Sequence, residues 1–165
     1  MDINTFMKEY PTSWNYIVSF TSNELIKTQQ YIKNKGKVAT GELIRSLEAD
    51  IDFQREDLIV KLEYAPHGKW VDSGRRRGAK QPPMSSVEKW IRVRGIKPKN
   101  KMTPKQLAFL IARAIKLKGI KAIKFISKFQ KAYATKQFVN GLTKQMEKDT
   151  INNIKTKINA NTINK

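Results

Sequence analysis

The chain has 165 residues, no cysteine, one histidine and a net charge of +19 at pH 7. Its length predicts one domain with an appendage, and the lack of cysteine excludes disulfides, thiolate metal sites and a cysteine nucleophile. No apolar run approaches the roughly 18 to 20 residues of a membrane-spanning helix. The N-terminus also lacks the basic start and the apolar block of a signal peptide. We therefore expect a soluble protein that stays in the cell that makes it or enters an assembly there.

The positive charge lies almost entirely in the middle of the chain. Residues 1–64 hold 8 Lys and Arg against 10 Asp and Glu, residues 65–131 hold 19 against 2, and residues 132–165 hold 6 against 2. Such a concentration of cations attracts polyanions. A solvated, lysine-rich surface is the simpler explanation for most individual lysines.

Two helices are predicted at the start of the chain. Apolar residues at helical spacing indicate a long amphipathic helix over about Ser13 to Lys33, with Pro11 ahead of it and Gly36 at its end. A shorter helix then opens at Thr40-Gly41, with Glu42 in its first turn, where a carboxylate complements the helix dipole.

The hydrophobic period next changes to two, which predicts strands. The alternating residues are Ile51 and Phe53, then Leu58, Val60, Leu62 and Tyr64. Gln54 to Asp57 is the predicted hairpin turn, and Trp70-Val71-Asp72 is predicted as a third, half-buried strand because aromatic and β-branched residues suit a pleated surface. We expect an antiparallel sheet with one face covered by helices and the other free.

A glycine-bracketed arginine triplet follows. Glycine tolerates positive φ, so Gly74 and Gly78 can turn the chain sharply and project the guanidinium groups of Arg75, Arg76 and Arg77 together. Arginine binds phosphate or carboxylate through its planar fork, so these residues, with Lys80, are the candidate contacts to DNA or to a partner.

A helix is predicted after Pro82-Pro83, which stiffens the chain. Ser85 or Ser86 is its expected cap, Gly95 its end, and its apolar face holds three residues. These are Val87, Trp90 and Ile91.

The rest of the chain is predicted to be mainly helical. Thr103 and Pro104 open a strong helix to about Lys118 that Gly119 ends. Ile120 to Phe129 suits either a helix or a strand, and residues 133–165 show a weak helical stripe before a low-complexity end that we expect to be disordered unless a partner orders it. The predicted fold class is α+β, a small antiparallel sheet packed against several helices, with a long N-terminal helix and an extended C-terminal tail. The predicted domains are 1–132 and the extension 133–165.

No catalytic constellation is evident, and we expect neither enzymatic activity nor a cofactor. His67 has no second histidine with which to share a metal. The acidic residues Glu48, Asp50, Asp52, Glu56 and Asp57 are expected to be solvated strand and turn positions, or contacts to the basic region of a neighbouring copy. The Gly74 to Lys80 spacing does not match a phosphate-binding loop.

Several short motifs, in this order and spacing, resemble the neck and tail-completion proteins of tailed bacteriophages. They are Thr40-Gly41-Glu42-Leu43 with Ser46-Leu47, Tyr64-Ala65, Lys69 to Arg76, Pro82-Pro83, Glu88-Lys89-Trp90-Ile91, Leu107 to Arg113 and Lys118-Gly119-Ile120. The resemblance covers roughly Val38 to Phe129. It implies a structural virion protein made in the bacterial host cytoplasm, a homo-oligomeric ring in the neck, between portal or adaptor proteins and tail proteins, with packaged double-stranded DNA passing through its channel.

Two functions from different classes follow. In the ring, Arg75 to Arg77 would line the DNA channel or bind the acidic surface of the next ring. The alternative is a free-standing basic nucleic-acid-binding protein, which predicts aromatic residues stacking among the basic ones. Because periodicity assigns Trp70 and Trp90 to the core, the sequence favours the structural role.

Overall fold

The computed structural model describes residues 2–38, 40–54, 57–98 and 102–163. It is a mixed structure of helices and one small antiparallel sheet, which confirms the predicted α+β class. In chain order the elements are α1 Ile3–Glu9, α2 Pro11–Asn34, α3 Glu42–Arg45, β1 Glu48–Gln54, β2 Asp57–Glu63, α4 Gly68–Ser73, α5 Met84–Val93, α6 Pro104–Lys118, α7 Phe125–Tyr133 and α8 Lys136–Ile163.

The chain forms two compact units. Unit 1 comprises Met1–Gln29, Glu48–Glu63 and Ile126–Lys165, and unit 2 comprises Gln30–Leu47 and Tyr64–Phe125. Unit 1 therefore holds α1, most of α2, the β-hairpin, most of α7 and α8. Unit 2 holds α3 to α6 and the loops between them.

An aromatic cluster forms the core of unit 1. Phe20 and Phe138 have ring centroids 4.7 Å apart, and Tyr133 meets Phe138 edge-on at 5.1 Å. Its hydroxyl donates to Thr21 Oγ1 at 3.0 Å. Aromatic pairs of this geometry add to the stability that burial of their area provides. The predicted helix over residues 13–33 is confirmed as α2, which supplies Phe20 and Thr21 to this core.

Asp149 of α8 anchors the start of α2. Its carboxylate is 2% exposed and accepts hydrogen bonds from the backbone N–H groups of Thr12 and Ser13, at 3.2 and 2.8 Å, and from both hydroxyls, at 2.8 and 2.7 Å. The first N–H groups of a helix have no partner within it, so Asp149 acts as a cap supplied from a distant helix. Burial alone would raise the pKa of Asp149, but these four hydrogen bonds stabilise the carboxylate and the net effect lowers it.

The hairpin confirms the two strands predicted from period two. β1 and β2 pair antiparallel from Glu48 opposite Glu63 to Gln54 opposite Asp57. Opposite residues share a face, so one face is apolar and the other holds the acids Glu48, Asp50, Asp52, Asp57 and Glu63. The described apolar side chains of the hairpin are only half-buried, and the predicted turn residues Arg55 and Glu56 lie outside the described residues.

The predicted third strand is wrong. Residues 68–73, which include Trp70, Val71 and Asp72, form α4, and among the described residues the sheet has two strands. Local hydrogen bonds explain the difference: Gly68 N donates to Ala65 O at 2.7 Å, and His67 O accepts from Trp70 N and Val71 N. The turn at Pro66-His67 thus starts a helical turn, which overrides the β propensity of these residues.

The packing of α5 against α6 forms the core of unit 2. Val87 and Ile91 meet Ala108 and Ala112, all four buried, with Leu107 and Ile111 beside them. The predicted cap of α6 is confirmed as a capping box, with Thr103 Oγ1 accepting from Gln106 N. The predicted serine cap of α5 is wrong, because that helix begins at Met84 after Pro83 without a side-chain cap.

The end of the chain is more ordered than expected. Ile120 forms a single antiparallel bridge with Arg75, residues 121–124 are neither helix nor strand, and α7 begins at Phe125. The helical alternative for 120–129 is therefore confirmed from Phe125 onward, and the strand alternative is limited to Ile120. Beyond residue 151, where disorder and an extended tail were predicted, α8 continues as a helix to Ile163. Asn153 Nδ2 donates to Glu9 O at 2.7 Å, which ties this part of α8 to α1.

Candidate functional site

The arginine triplet lies in a loop that is joined closely to the segment after α6. Arg75 and Ile120 form an antiparallel bridge, with Arg75 N donating to Ile120 O at 2.8 Å and Ile120 N donating to Arg75 O at 2.9 Å. Gly78 N donates to Lys116 O at 2.8 Å. The loop is therefore held at both ends rather than hinged freely.

Two glycines make this close approach possible. A Cβ at Gly74, whose φ is +70°, would overlap the carbonyl oxygen of Ile120 and lie 2.6 Å from Ala122 N. A Cβ at Gly119, at φ +73°, would overlap the carbonyl oxygen of Arg75. The sequence predicted the turn at Gly74, but it gave no indication that Gly119 meets the loop.

The three arginines are not equivalent. Arg75 is half-buried, and its guanidinium donates to Lys80 O of the same loop. Its Nε is buried without a hydrogen-bond partner in the described structure. Arg76, Arg77 and Lys80 are exposed. The prediction that all three guanidinium groups project together is therefore wrong for Arg75, which shapes the loop, while the other two arginines and Lys80 are available at the surface.

Unit 2 also contains an apolar groove of about 570 Å³. Its walls come from α3, α4, α5 and α6, and residues 36–38, 40–41 and Ile120 complete it. Both Trp70 and Trp90 line it, with 68% and 40% of their surface exposed. Lys37 and Arg94 bring positive charge to it, and Arg94 is held there because its Nη2 donates to Gly36 O at 2.7 Å.

The two tryptophans were predicted to be core residues, and that prediction is wrong. In α5, Val87 and Ile91 face α6, whereas Trp90 lies at the edge of their stripe and turns into the groove. Trp70 is exposed because it lies on α4 and not in a sheet. The aromatic residues that a nucleic-acid-binding surface needs are therefore accessible in the basic unit.

The charge of the protein is divided very unequally between the units. Unit 2 holds 21 Lys and Arg against 3 Asp and Glu, a net of +18, whereas unit 1 holds 12 against 11, a net of +1. The hairpin within unit 1, residues 48–63, holds 6 acidic residues against 2 basic ones. The arrangement can bind a polyanion through unit 2 by long-range attraction and by direct arginine and lysine contacts.

Neither a metal cluster nor a membrane-spanning helix is found in the part of the chain that the structure describes. No group of three His, Asp or Glu side chains there is placed to hold a metal ion. None of the helices there is long and apolar enough to cross a membrane.

Comparisons with known proteins give no match from which a function could be inferred. No protein-family model, no curated protein and no solved structure matches the chain.

Proposed function

We propose that the protein is a structural subunit of a tailed-bacteriophage neck, forming a ring between the portal side of the head and the tail around the DNA channel. The observation that supports this most is the segregation of charge, +18 on unit 2 against +1 on unit 1. A ring around DNA needs a strongly cationic surface toward the polyanion and a second surface that neighbouring copies can bind.

Five of the seven motifs that resemble neck proteins contribute a residue to one groove. They are scattered over residues 40–120, with the hairpin between them, and all of them fall in unit 2. Leu43, Trp70, Trp90, Ile111 and Ile120, one from each of five motifs, line the same groove. Short motifs that converge on one surface support a shared structural role more strongly than their order in the sequence does.

The acidic face of the hairpin supports a head-to-tail contact between copies. Glu48 and Glu63 lie directly opposite each other, an arrangement of like charges that destabilises a strand pair on its own. A cationic surface of another copy would relieve this repulsion. A contact between two different surfaces of one chain is heterologous, and such contacts close into rings when the rotation between copies permits.

Native mass spectrometry of the purified protein, alone and with the neck proteins of its virion, tests this function. We expect one discrete closed multiple of the 19.1 kDa chain. Reversing the hairpin charge with Asp50→Lys and Asp57→Lys should convert the ring to monomers, and Lys144→Glu with Lys155→Glu in α8 is the matched control. A chain that stays monomeric both alone and with the neck proteins contradicts the proposal.

A free-standing nucleic-acid-binding protein is the second candidate, and the exposure of Trp70 favours it. Base stacking on aromatic side chains is characteristic of proteins that bind single strands, and Trp70 lies in the basic unit with 68% of its surface accessible. This candidate predicts that single-stranded DNA quenches tryptophan fluorescence and that Trp70→Ala removes the quenching. The ring predicts instead that duplex and single-stranded DNA bind according to their charge.

A further inference from the structure

We propose that the groove of unit 2 is a docking site for an amphipathic helix of a partner protein, one that carries apolar anchors a turn apart and carboxylates on its flanks. This inference goes beyond the ring function, and it stands whether or not the chain belongs to a virion. It rests on the groove's shape, its tryptophans, its helical walls and the charge around it.

The groove exposes two large aromatic side chains. Trp70 and Trp90 are 68% and 40% exposed within a concavity whose other walls include Val87, Ile111 and Ile115. Exposed apolar patches with polar surroundings mark interaction sites, and tryptophan is enriched among the residues that contribute most to binding. The groove is also large enough to receive side chains from another molecule.

The walls of the groove favour a helix over a strand as the occupant. Both described strands belong to unit 1, so no strand edge in the described part of the groove can pair with an added strand. Ile120, which forms the isolated β-bridge beside the groove, already uses its N–H and C=O to bind Arg75. A groove whose described walls are mainly helices offers side chains rather than a strand edge, which is how an amphipathic helix binds an apolar groove.

The charge of unit 2 indicates the polar part of the partner. Lys37 and Arg94 line the groove with one acid, Glu42, and unit 2 as a whole has three acids against 21 basic residues. Carboxylates beside the apolar anchors would meet this positive field. The partner helix is therefore acidic.

The same charge argues against the chain's own exposed helix face as the occupant. α8 exposes Ile151 and Ile154, but Lys155 and Lys157 flank them. A second copy docking through this face would bring lysines to the groove that already contains Lys37. Like charges at an interface oppose binding, so an acidic helix from a different protein fits better.

Synthetic peptides test the assignment directly. The probe is a fluorescein-labelled, glutamate-rich helix with leucines at positions i, i+3 and i+7, and its comparison peptides are an isomer with the leucines spread around the helix and a version with lysine in place of glutamate. We expect fluorescence anisotropy to show the probe binding at least about tenfold more tightly than either comparison peptide. We also expect Trp70→Ala to weaken probe binding about tenfold.

Phe109→Ala provides the matched control, because Phe109 is an exposed aromatic residue of unit 2 that does not line this groove. It should bind the probe as the unchanged protein does. Equal affinity for the leucine isomer would show that charge alone drives binding, and it would overturn the proposal. So would tighter binding of a proline-rich peptide, or a concentration-dependent self-association that Trp70→Ala abolishes, because the occupant would then be a polyproline segment or a second copy.

Discussion

Unit 1 and unit 2 contain similar numbers of residues but use their charged groups in opposite ways. In unit 1, 12 basic and 11 acidic residues nearly balance, and the one buried carboxylate, among the residues described, joins two helices. In unit 2 the basic residues outnumber the acidic ones sevenfold, and two tryptophans remain exposed. The charges of unit 1 therefore nearly cancel, whereas the excess positive charge of unit 2 produces repulsion that a bound polyanion or an acidic partner would reduce.

The largest expected effect is on DNA binding, which should depend on unit 2. If about six phosphates are neutralised, the affinity for duplex DNA should fall roughly 1,000-fold between 50 and 200 mM salt, because bound counterions are released. Arg76→Ala with Arg77→Ala should reduce the slope of log affinity against log salt by about 2. Lys144→Ala with Lys155→Ala in unit 1 is the control, and an equal reduction in that variant would remove the distinction between the units.

The second prediction concerns the stability of unit 1, in which Asp149 caps α2. Asp149→Ala should lower the free energy of unfolding by about 3 kcal/mol, because four donors at the start of α2 lose a charged acceptor. Thermal or urea unfolding measures this loss, and Glu147→Ala, at an exposed position of the same helix, is its control. An unchanged unfolding midpoint in Asp149→Ala would show that the start of α2 does not need this carboxylate.

The same carboxylate predicts a dependence of stability on pH. Its pKa is lowered in the folded state, so its contribution is fully present above the ordinary value of 3.8 and is lost as the pH falls through the lower folded value. Asp149→Asn should therefore be less stable than the unchanged protein near neutral pH, and the difference should shrink as the pH falls below 3.8 and through the lower folded pKa. If Asp149→Asn remains less stable than the unchanged protein at the lowest pH, the loss of stability arises from the shape of the asparagine side chain and not from the lost charge.

The two glycines that flank the arginines should differ in tolerance. Gly74→Ala should cost more than about 2 kcal/mol, because positive φ is strained for alanine and its Cβ would overlap the backbone at Ile120. Gly78→Ala should cost about 1 kcal/mol, since φ is +78° but the space around it is open. Equal costs in urea unfolding would contradict the close joining of the loop to the segment after α6.

The smallest expected effect concerns Trp90. Ile91→Ala, at a buried position of α5, should cost about 3 kcal/mol, whereas Trp90→Ala, which removes a larger side chain, should cost only about 1 kcal/mol. The melting temperatures of the two variants check this order. If Trp90→Ala is the more damaging change, the ring is part of the core and not of a binding groove.

The elements that depend on a pattern within one segment were predicted correctly from the sequence. The stripe of α2, the capping box of α6 and the two hairpin strands follow from spacing and cap chemistry within one segment. Trp70 was misplaced because a β-favouring triplet can lie in a helical turn when the preceding loop starts one. Trp90 was misplaced because helical spacing alone cannot tell the centre of a buried stripe from its edge.

The contacts between distant segments could not be predicted from the sequence for a different reason. Gly74 meets Ile120, and Asp149 meets Ser13, across separations of 46 and 136 residues along the chain. Glycine at 119 predicted only a helix end, and no local pattern distinguishes Asp149 from a surface acid. Side-chain pairs between distant segments depend on the tertiary fold, and no periodicity encodes them.

The central claim is that unit 2, and not unit 1, binds DNA. Hydrogen–deuterium exchange of the protein with and without duplex DNA at low salt measures this directly. Protection should appear in unit 2, including Arg76 to Lys80, and should disappear when salt is raised. The exchange of α8 and the hairpin in unit 1 should not respond to DNA. Protection that centres on unit 1, or none in unit 2 under conditions where DNA is bound, would contradict the assignment of the interacting surface to the cationic unit.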